Sequence, residues 1–316
     1  MITTNKHVPV LFDEIKKFIP KSKKINVIDA TFGAGGYSRE ILENYDIDNL
    51  FAIDRDPYTK NFANPLTRKF NNFSFINGCF SEIDILLNQQ KKIKNKNFDI
   101  ILFDLGISSN QLEDAERGFS FNLNGPLNMR MGNSDIDAKY IINTFSEEKL
   151  TKIFFEFGEE KFSKKIARNI VKFRKIKIID TTSELSELIK KSIPKFKNKK
   201  SKINPATKTF QALRIYVNDE LNEIKKALNK SLNLLKKDGK IIVVSFQSLE
   251  DRIVKDFFNH ISGKRWRSSR HYPELAEEGP ITFKLITKKP IRPNEQELKL
   301  NPRSRSAKLR IAQKIN

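Results

Sequence analysis

Apolar residues in the first hundred positions come in short runs separated by polar, helix-like stretches. The runs at 25–30, 50–54, 73–77 and 98–104 are rich in Ile, Leu, Val and Phe and are bounded by turn residues. Short continuous runs of this kind read as strands buried on both faces. A fifth run lies at 240–246, and two more at 281–288 and 306–312 read as a closing antiparallel pair. The first five alternate with helical patterns, which predicts an α/β fold with a mostly parallel seven-stranded sheet covered on both sides.

The clearest helix covers 219–237. Leu221, Ile224, Leu228, Leu232 and Leu235 share one face, Asn218 can cap it, and Asp219 and Glu220 lie in its first turn. Lys236, Lys237 and Gly239 read as its C-terminal signals. Between the fourth strand and this helix the chain is too long for a crossover and contains helical patterns without a clear strand. One pattern starts near Ser146 with Leu150, Ile153 and Phe154 on one face. Another starts at Thr181, where Glu184 makes a capping box and Leu185, Leu188 and Ile189 follow before Pro194. The prediction is an inserted helical domain at 112–210 within a core built from 1–111 and 211–316.

The most informative local motif is Asp29-Ala-Thr-Phe-Gly-Ala-Gly-Gly36, behind the first strand, with Asp54 closing the second. Strand, glycine turn and acid form an adenosine-binding arrangement, in which the glycines admit a close ligand and the acid accepts ribose hydroxyls. A dinucleotide fingerprint would place a third glycine at 38 to seat a pyrophosphate. Here 38 is Ser, and the glycines are Gly33, Gly35 and Gly36. That departure favours S-adenosylmethionine, which carries no phosphate; a plain strand–helix connection is the alternative.

Charge adds a second class of partner. The chain of 316 residues carries 59 Lys and Arg against 38 Asp and Glu, a net charge of +21. A polyanionic partner such as nucleic acid is the natural reading, although an AT-rich coding bias contributes part of the excess. The basic residues cluster at Lys190–Lys202, Lys264–Arg270 and Pro302–Arg310, and Trp266 sits among arginines where a ring could stack on a base. Cys79 is the single cysteine, and His7, His260 and His271 are the only histidines, so neither a disulfide framework nor a bound metal is expected. The first residues lack a signal core and no run approaches the ~20 apolar residues of a membrane span. A cytoplasmic protein without membrane association is expected, and oligomeric state is left open, a homodimer included.

In an open parallel sheet the ligand lies across the carboxyl ends of the strands. Asp104, Ser108 and Ser109 leave the fourth strand there. Methyl transfer to an amine depends on holding the acceptor in line, and a carboxylate accepting N–H bonds would orient a delocalised exocyclic amine. Asp104 fits that role, or it contacts cofactor or caps its loop. Cys79 could be a nucleophile for carbon methylation, but a small buried residue is the plainer reading. Phe80 could line an adenine site or pack in the core. The loop Glu116-Arg-Gly-Phe-Ser-Phe121 with Gly125–Met131 could cover the site or form a rigid connection. Ser245 and Gln247 could touch a target base, while Glu250 and Asp251 could simply begin the next helix. The Thr and Arg residues of Asn204–Arg214 could hold phosphate or a domain junction.

Taken together, these segments resemble the bacterial small-subunit rRNA cytosine-N4 methyltransferases of the MraW/RsmH type. The resemblance runs from His7-Val-Pro-Val-Leu11 to Arg303-Ser-Arg-Ser-Ala-Lys-Leu-Arg-Ile-Ala312. It includes Thr31-Phe-Gly-Ala-Gly-Gly36, Ala52-Ile-Asp-Arg-Asp-Pro57, Asp104-Leu-Gly-Ile-Ser-Ser109, Asp114-Ala-Glu-Arg-Gly-Phe-Ser-Phe121, Pro205–Arg214 and Ser248-Leu-Glu-Asp-Arg252. It implies a class I S-adenosylmethionine-dependent methyltransferase fold, Rossmann-like, with a helical insert. The implied reaction is methylation of N4 of one decoding-centre cytidine in 16S rRNA within the small ribosomal subunit. The family's cofactor contacts fall on Gly35, Gly36, Tyr37, Asp54, Phe80, Asp104 and Gln111. Tyr37 and Gln247 stand where the family usually has histidine, so a general-base imidazole at 247 is absent. DNA amino-methyltransferases of the same fold usually carry a Pro-Pro loop after the fourth strand, where this chain has Asp104-Leu-Gly-Ile. A ribosome-assembly factor that keeps the fold without turnover is the non-enzymatic rival.

Overall fold

A computed structural model of the protein describes residues 9–21, 23–90, 97–194, 204–264 and 281–316. His7, the basic stretch after Pro194, Trp266 with its flanking arginines and His271 lie outside the described residues. The described chain divides into two compact units, 1–106 with 221–316, and 107–220.

The first unit holds β1 (Ile25–Asp29), α1 (Gly36–Asn44), β2 (Ile47–Asp54), α2 (Lys60–Lys69), β3 (Phe73–Asn77), α3 (Ile83–Asn88) and β4 (Phe98–Asp104). The second unit holds α4 (Ser109–Glu113), α5 (Ala138–Thr144), α6 (Glu147–Gly158), α7 (Ser163–Arg174), α8 (Thr182–Ser192) and α9 (Thr207–Asn218). Then α10 (Glu220–Ser231) leads back to β5 (Leu235–Ser245), α11 (Ser248–Ile261), β6 (Phe283–Leu285), α12 (Glu295–Leu300) and β7 (Lys308–Lys314).

The sheet order is β3-β2-β1-β4-β5-β7-β6. β1 to β5 are parallel and β7 is antiparallel to both β5 and β6. β4 pairs with β1 on one side and β5 on the other, so its apolar run is continuous: Ile100, Ile101, Leu102 and Phe103 are all buried. The strand order reverses between β1 and β4, which opens a crevice at their carboxyl ends. Asp251 in α11 accepts from Arg310 Nε at 2.7 Å and Lys308 Nζ at 2.9 Å, tying that helix to β7. Burial raises the Asp251 carboxyl, but these two cations outweigh it and hold the group below its usual range.

The helical unit has its own core, including Leu127, Met129, Ile141, Phe154, Ile170 and Leu213. Ser146 caps α6 by accepting from Lys149 N–H, and the Thr181–Glu184 capping box opens α8. Gly158 ends α6 against α9, where a Cβ would lie 2.5 Å from the Lys208 carbonyl oxygen. The unit is wider than the expected 112–210, since Ile107 before that span and Leu213, Tyr216 and Val217 after it pack into this core.

The helix expected at 219–237 differs in two ways. α9 runs through Asn218, and the chain turns at Asp219 with φ +50° before α10 starts at Glu220. α10 stops at Ser231, and Leu235, Lys236, Lys237 and Gly239 belong to β5. Leu235 pairs with Phe98, so sheet pairing overrides the helical spacing. Asn218 is the last residue of α9. Its Nδ2 donates to the carbonyls of Met129 and Arg214, both at 2.8 Å, and its Oδ1 accepts from Met131 N–H at 2.8 Å. No helix among the described residues is long and apolar enough to cross a membrane.

Asn218→Ala would strand the buried Met131 N–H and Met129 carbonyl. It is expected to lower unfolding free energy by about 2–4 kcal/mol in urea titration; an unchanged midpoint would contradict the assigned role.

Candidate active site

The chain leaves β1 at Asp29 and turns through Ala30–Gly35 into α1. Phe32 N–H donates to the Ile53 carbonyl at 2.9 Å, folding the turn over the end of β2. Gly33 and Gly35 take φ +54° and +75°, a region that L side chains avoid. A Cβ on Gly35 would also lie 2.6 Å from Phe32 Cζ. Gly33 then points its N–H at Asp54 Oδ2 at 2.7 Å, and Asp56 N–H donates to Asp54 Oδ1 at 2.8 Å. The turn and the acid are therefore one hydrogen-bonded cradle, with lone pairs remaining on the carboxylate for ligand hydroxyls. Gly36 is the first residue of α1.

Two polar residues stitch this edge together. Ser38 donates to Asp29 Oδ2 at 2.6 Å. It occupies the position where a dinucleotide fingerprint needs glycine, and it uses its side chain to tie α1 to β1. Thr31 Oγ1 accepts from Asp104 N–H at 2.6 Å, joining the ends of β1 and β4. Phe80, half-buried after β3, meets Phe103 of β4 edge to face at 5.9 Å.

The electrostatics are strongly acidic. Burial pushes Asp54 up to about 7, against the N–H bonds from Asp56 and Gly33 that favour its charged form. Burial likewise pushes Asp29 up to about 6, against hydrogen bonds from Ser38 and Thr31. Asp104 is raised well above the usual carboxylate range by burial and by the charges of Asp29 and Glu250. Its Oδ1 is buried without a hydrogen-bond partner among the described residues, and so is Oε1 of Gln247. Leu105 N–H donates to the Val244 carbonyl at 2.9 Å, so Asp104 stands beside the strand end from which Ser245 and Gln247 emerge. Ser245 is almost wholly buried. Gln247 donates through Nε2 to Glu250 Oε1 at 2.7 Å.

Other residues singled out from the sequence have internal partners. Tyr37 is buried, and its hydroxyl donates to the Val10 carbonyl, anchoring the segment before β1. Gln111, in the helical unit, is buried and its Oε1 accepts from Ser108 N–H at 3.0 Å. The loop at 116–131 is a packed connection within that unit: Arg117 donates to the Arg130 carbonyl at 3.0 Å and lies over Phe119. Arg214 forms a forked pair with Glu220 at 2.8 and 2.9 Å. In the basic segment 302–310, Lys308 and Arg310 face Asp251, while the side chains of Arg303 and Arg305 are exposed. Cys79 contacts Glu223, and burial pushes its thiol up, with the Glu223 contact adding to the effect. Among the described residues no cluster of His, Cys, Asp or Glu is arranged to hold a metal.

Sequence reasoning passed over Ser38 as a ligand of Asp29, Thr31 as the β1–β4 link, and Glu250 as the partner of Gln247. The last had a signal, since an acid three residues after an N-cap is capping spacing.

The model of the MraW methylase family matches residues 4–315. "Ribosomal RNA small subunit methyltransferase H" of Rickettsia akari (strain Hartford) is 43% identical over 311 residues, covering 98% of each chain. The protein of the same name from Ehrlichia canis (strain Jake) is 46% identical over 313 residues, covering 98% of this chain and 100% of that one. Among solved structures, an rRNA methylase from Streptococcus thermophilus overlaps at a TM-score of 0.41 with 9% identity, covering 96% of this chain and 93% of that one.

A carboxyl raised above its unfolded value of 3.8 binds more protons in the folded protein than in the unfolded chain. The contribution of these groups is therefore fully present below pH ~4 and is lost as pH rises through about 6 to 7. Asp104→Asn removes one such group without removing a hydrogen bond to Oδ1. Its unfolding free energy in urea is expected to fall less between pH 5 and 8 than that of the wild type; parallel curves would contradict the crowding.

Proposed function

Because the chain belongs to the MraW methylase family, we propose that it transfers the methyl group of S-adenosylmethionine to N4 of one decoding-centre cytidine in 16S rRNA of the small ribosomal subunit. The observation that carries this reading is Oδ1 of Asp104, buried beside the glycine turn with no hydrogen-bond partner among the described residues. A buried acceptor at this acidic edge suits an N–H donor and disfavours a phosphate.

The cradle fits the cofactor on three counts. Gly33 and Gly35 hold the turn in a tight path that L side chains rarely adopt, which brings its backbone to the strand ends. Asp54 is held in place to receive two ribose hydroxyls. Phe80 lies half-buried after β3, where a ring can line an adenine. The acidic edge also matches the positive charge of a sulfonium and an ammonium group, whereas it would repel a pyrophosphate. S-adenosylmethionine supplies a methyl group activated by its positive sulfur. Gly36 and the backbone of Tyr37 border the same turn, and Gln111 is the further contact that the family resemblance assigns.

The acceptor amine is a weak nucleophile because its lone pair is delocalised into the ring. Burial favours the protonated carboxyl of Asp104, and a bound sulfonium cation would draw it into the ionised form. As a carboxylate acceptor Asp104 turns the amine and disperses charge as it develops on nitrogen. The cytidine must be splayed out of its helix to reach this edge. Cys79 argues against carbon-5 chemistry, since a thiol held in its protonated form is a poor nucleophile. The exposed side chains of Arg303 and Arg305 are candidates for rRNA backbone contacts.

The reading is tested by nucleoside mass spectrometry of small subunits lacking the modification, incubated with the protein and labelled S-adenosylmethionine. Label in N4-methylcytidine at one decoding-centre position is expected, and Asp104→Ala should reduce it by roughly 10²-fold or more. Label in another nucleoside would overturn the substrate. Cofactor binding without any label would favour the assembly-factor reading.

A further inference from the structure

The neighbour of Gln247 decides which end of its amide it presents. Glu250 is fully buried at the start of α11. Its Oε2 accepts from Phe246 N–H at 2.9 Å and from Gln247 N–H at 3.3 Å. Its Oε1 accepts from Gln247 Nε2 at 2.7 Å. Both oxygens of Glu250 are thus engaged as acceptors, so the amide of Gln247 turns its NH2 toward Glu250 and its carbonyl oxygen away. That oxygen is buried and lies over the Glu250 N–H in capping-box fashion without a full hydrogen bond among the described residues, so it keeps acceptor capacity for a further donor. Gly106, two residues beyond Asp104, packs here: a Cβ on it would lie 3.7 Å from Phe246 Cδ2 and 4.0 Å from Glu250 Oε1. The charge of Glu250 is also felt at Asp104.

Two acceptors with capacity to spare, Asp104 Oδ1 and Gln247 Oε1, thus issue from the neighbouring strand ends of β4 and β5. A primary exocyclic amine has two N–H donors. We infer that Glu250 is a positioning residue for acceptor recognition: it locks the Gln247 amide so that Oε1 takes one N–H of the target amine while Asp104 Oδ1 takes the other. This rests on the amine-methylation reading above. A ring carbon or a ribose hydroxyl would leave at least one of these acceptors unsatisfied, so the arrangement selects a primary exocyclic amine on a base as substrate.

The arrangement also explains how a side chain without a titratable ring serves at 247. A neutral imidazole there would donate one N–H to Glu250 and offer its other nitrogen as acceptor, the same donor and acceptor pattern. The amide keeps that pattern at every pH, whereas an imidazole loses its acceptor on protonation.

The test compares the wild type with Glu250→Gln, Gln247→Glu, the double swap Gln247→Glu/Glu250→Gln, and Gln247→His. Each is assayed with small subunits lacking the modification, and S-adenosylmethionine affinity is measured separately. Glu250→Gln allows the amide at 247 to turn, and kcat is expected to fall roughly 10²-fold with cofactor affinity little changed. Gln247→Glu sets two carboxylates together and should fall at least as far. The double swap restores an acceptor at 247, held now by the amide NH2 of residue 250. It should recover about tenfold or more of the rate of either single variant. Gln247→His should turn over near pH 8 and, at saturating S-adenosylmethionine, lose rate below about pH 6.5 more steeply than the wild type, because protonation removes the imidazole acceptor in addition to any loss the carboxyls cause.

Rates for Glu250→Gln equal to wild type would overturn the inference. So would single variants that lose stability and rate together with no recovery in the swap, which is the behaviour of a helix cap alone. Label on a ring carbon or ribose in the wild type would overturn both this inference and the proposed function. Label on the exocyclic amine of another base would overturn the cytidine assignment only, and the swap would still decide the role of Glu250.

Discussion

Acidic crowding at one edge of the sheet is the constraint around which the first unit is organised. Asp29, Asp54 and Asp104 close β1, β2 and β4, and Glu250 stands in the first turn of α11 beside them. Burial raises all three aspartates, and Asp29 adds its charge to the environments of Asp54 and Asp104. Such a cluster is costly to hold ionised, and the structure offsets it locally with donors: Gly33 and Asp56 N–H on Asp54, and Ser38 and Thr31 on Asp29. What burial leaves is a set of carboxyls that hold protons unusually tightly, which a cationic methyl donor would draw into their charged forms and a phosphate would not.

The topology makes that crowding unavoidable. β1 and β4 lie side by side at the centre of the sheet, where the strand order reverses, so their last residues share one crevice. Thr31 fixes the spacing there by accepting from the Asp104 backbone. On the far side of β5, Asp251 holds β7 through Arg310 and Lys308, which secures the antiparallel edge without a contribution from the site. Adjacent residues in α11 thus have separate tasks: Glu250 faces Gln247 and the strand ends, and Asp251 faces β7.

Much of this was legible in the sequence because its signals are local. The buried strands announced themselves as apolar runs, and β3 and β4 occupy the spans expected for them. The capping box at Thr181 and the cap at Ser146 were readable from spacing alone. Errors came where a partner distant in sequence decides the outcome. Leu235 fits a helical face, yet it pairs with Phe98 in the sheet. Asn218 looks like a cap, yet its amide holds the backbone of Met129 and Met131. Lys308 and Arg310 read as a basic patch until Asp251 is seen across from them. In the site, Asp54 and the glycines were legible through motif spacing. The amide orientation at Gln247 was not, because it depends on which acceptor faces the NH2 group.

The central claim is that the acidic edge is matched to a cation, and it is tested most directly by calorimetry of S-adenosylmethionine binding between pH 6 and 8. Titrations in buffers of different ionisation heat report the protons exchanged. The account predicts proton release near pH 7, affinity that rises with pH, and weaker coupling for S-adenosylhomocysteine, whose sulfur is neutral. Binding of both ligands with the same affinity across this range, and without proton release, would contradict it.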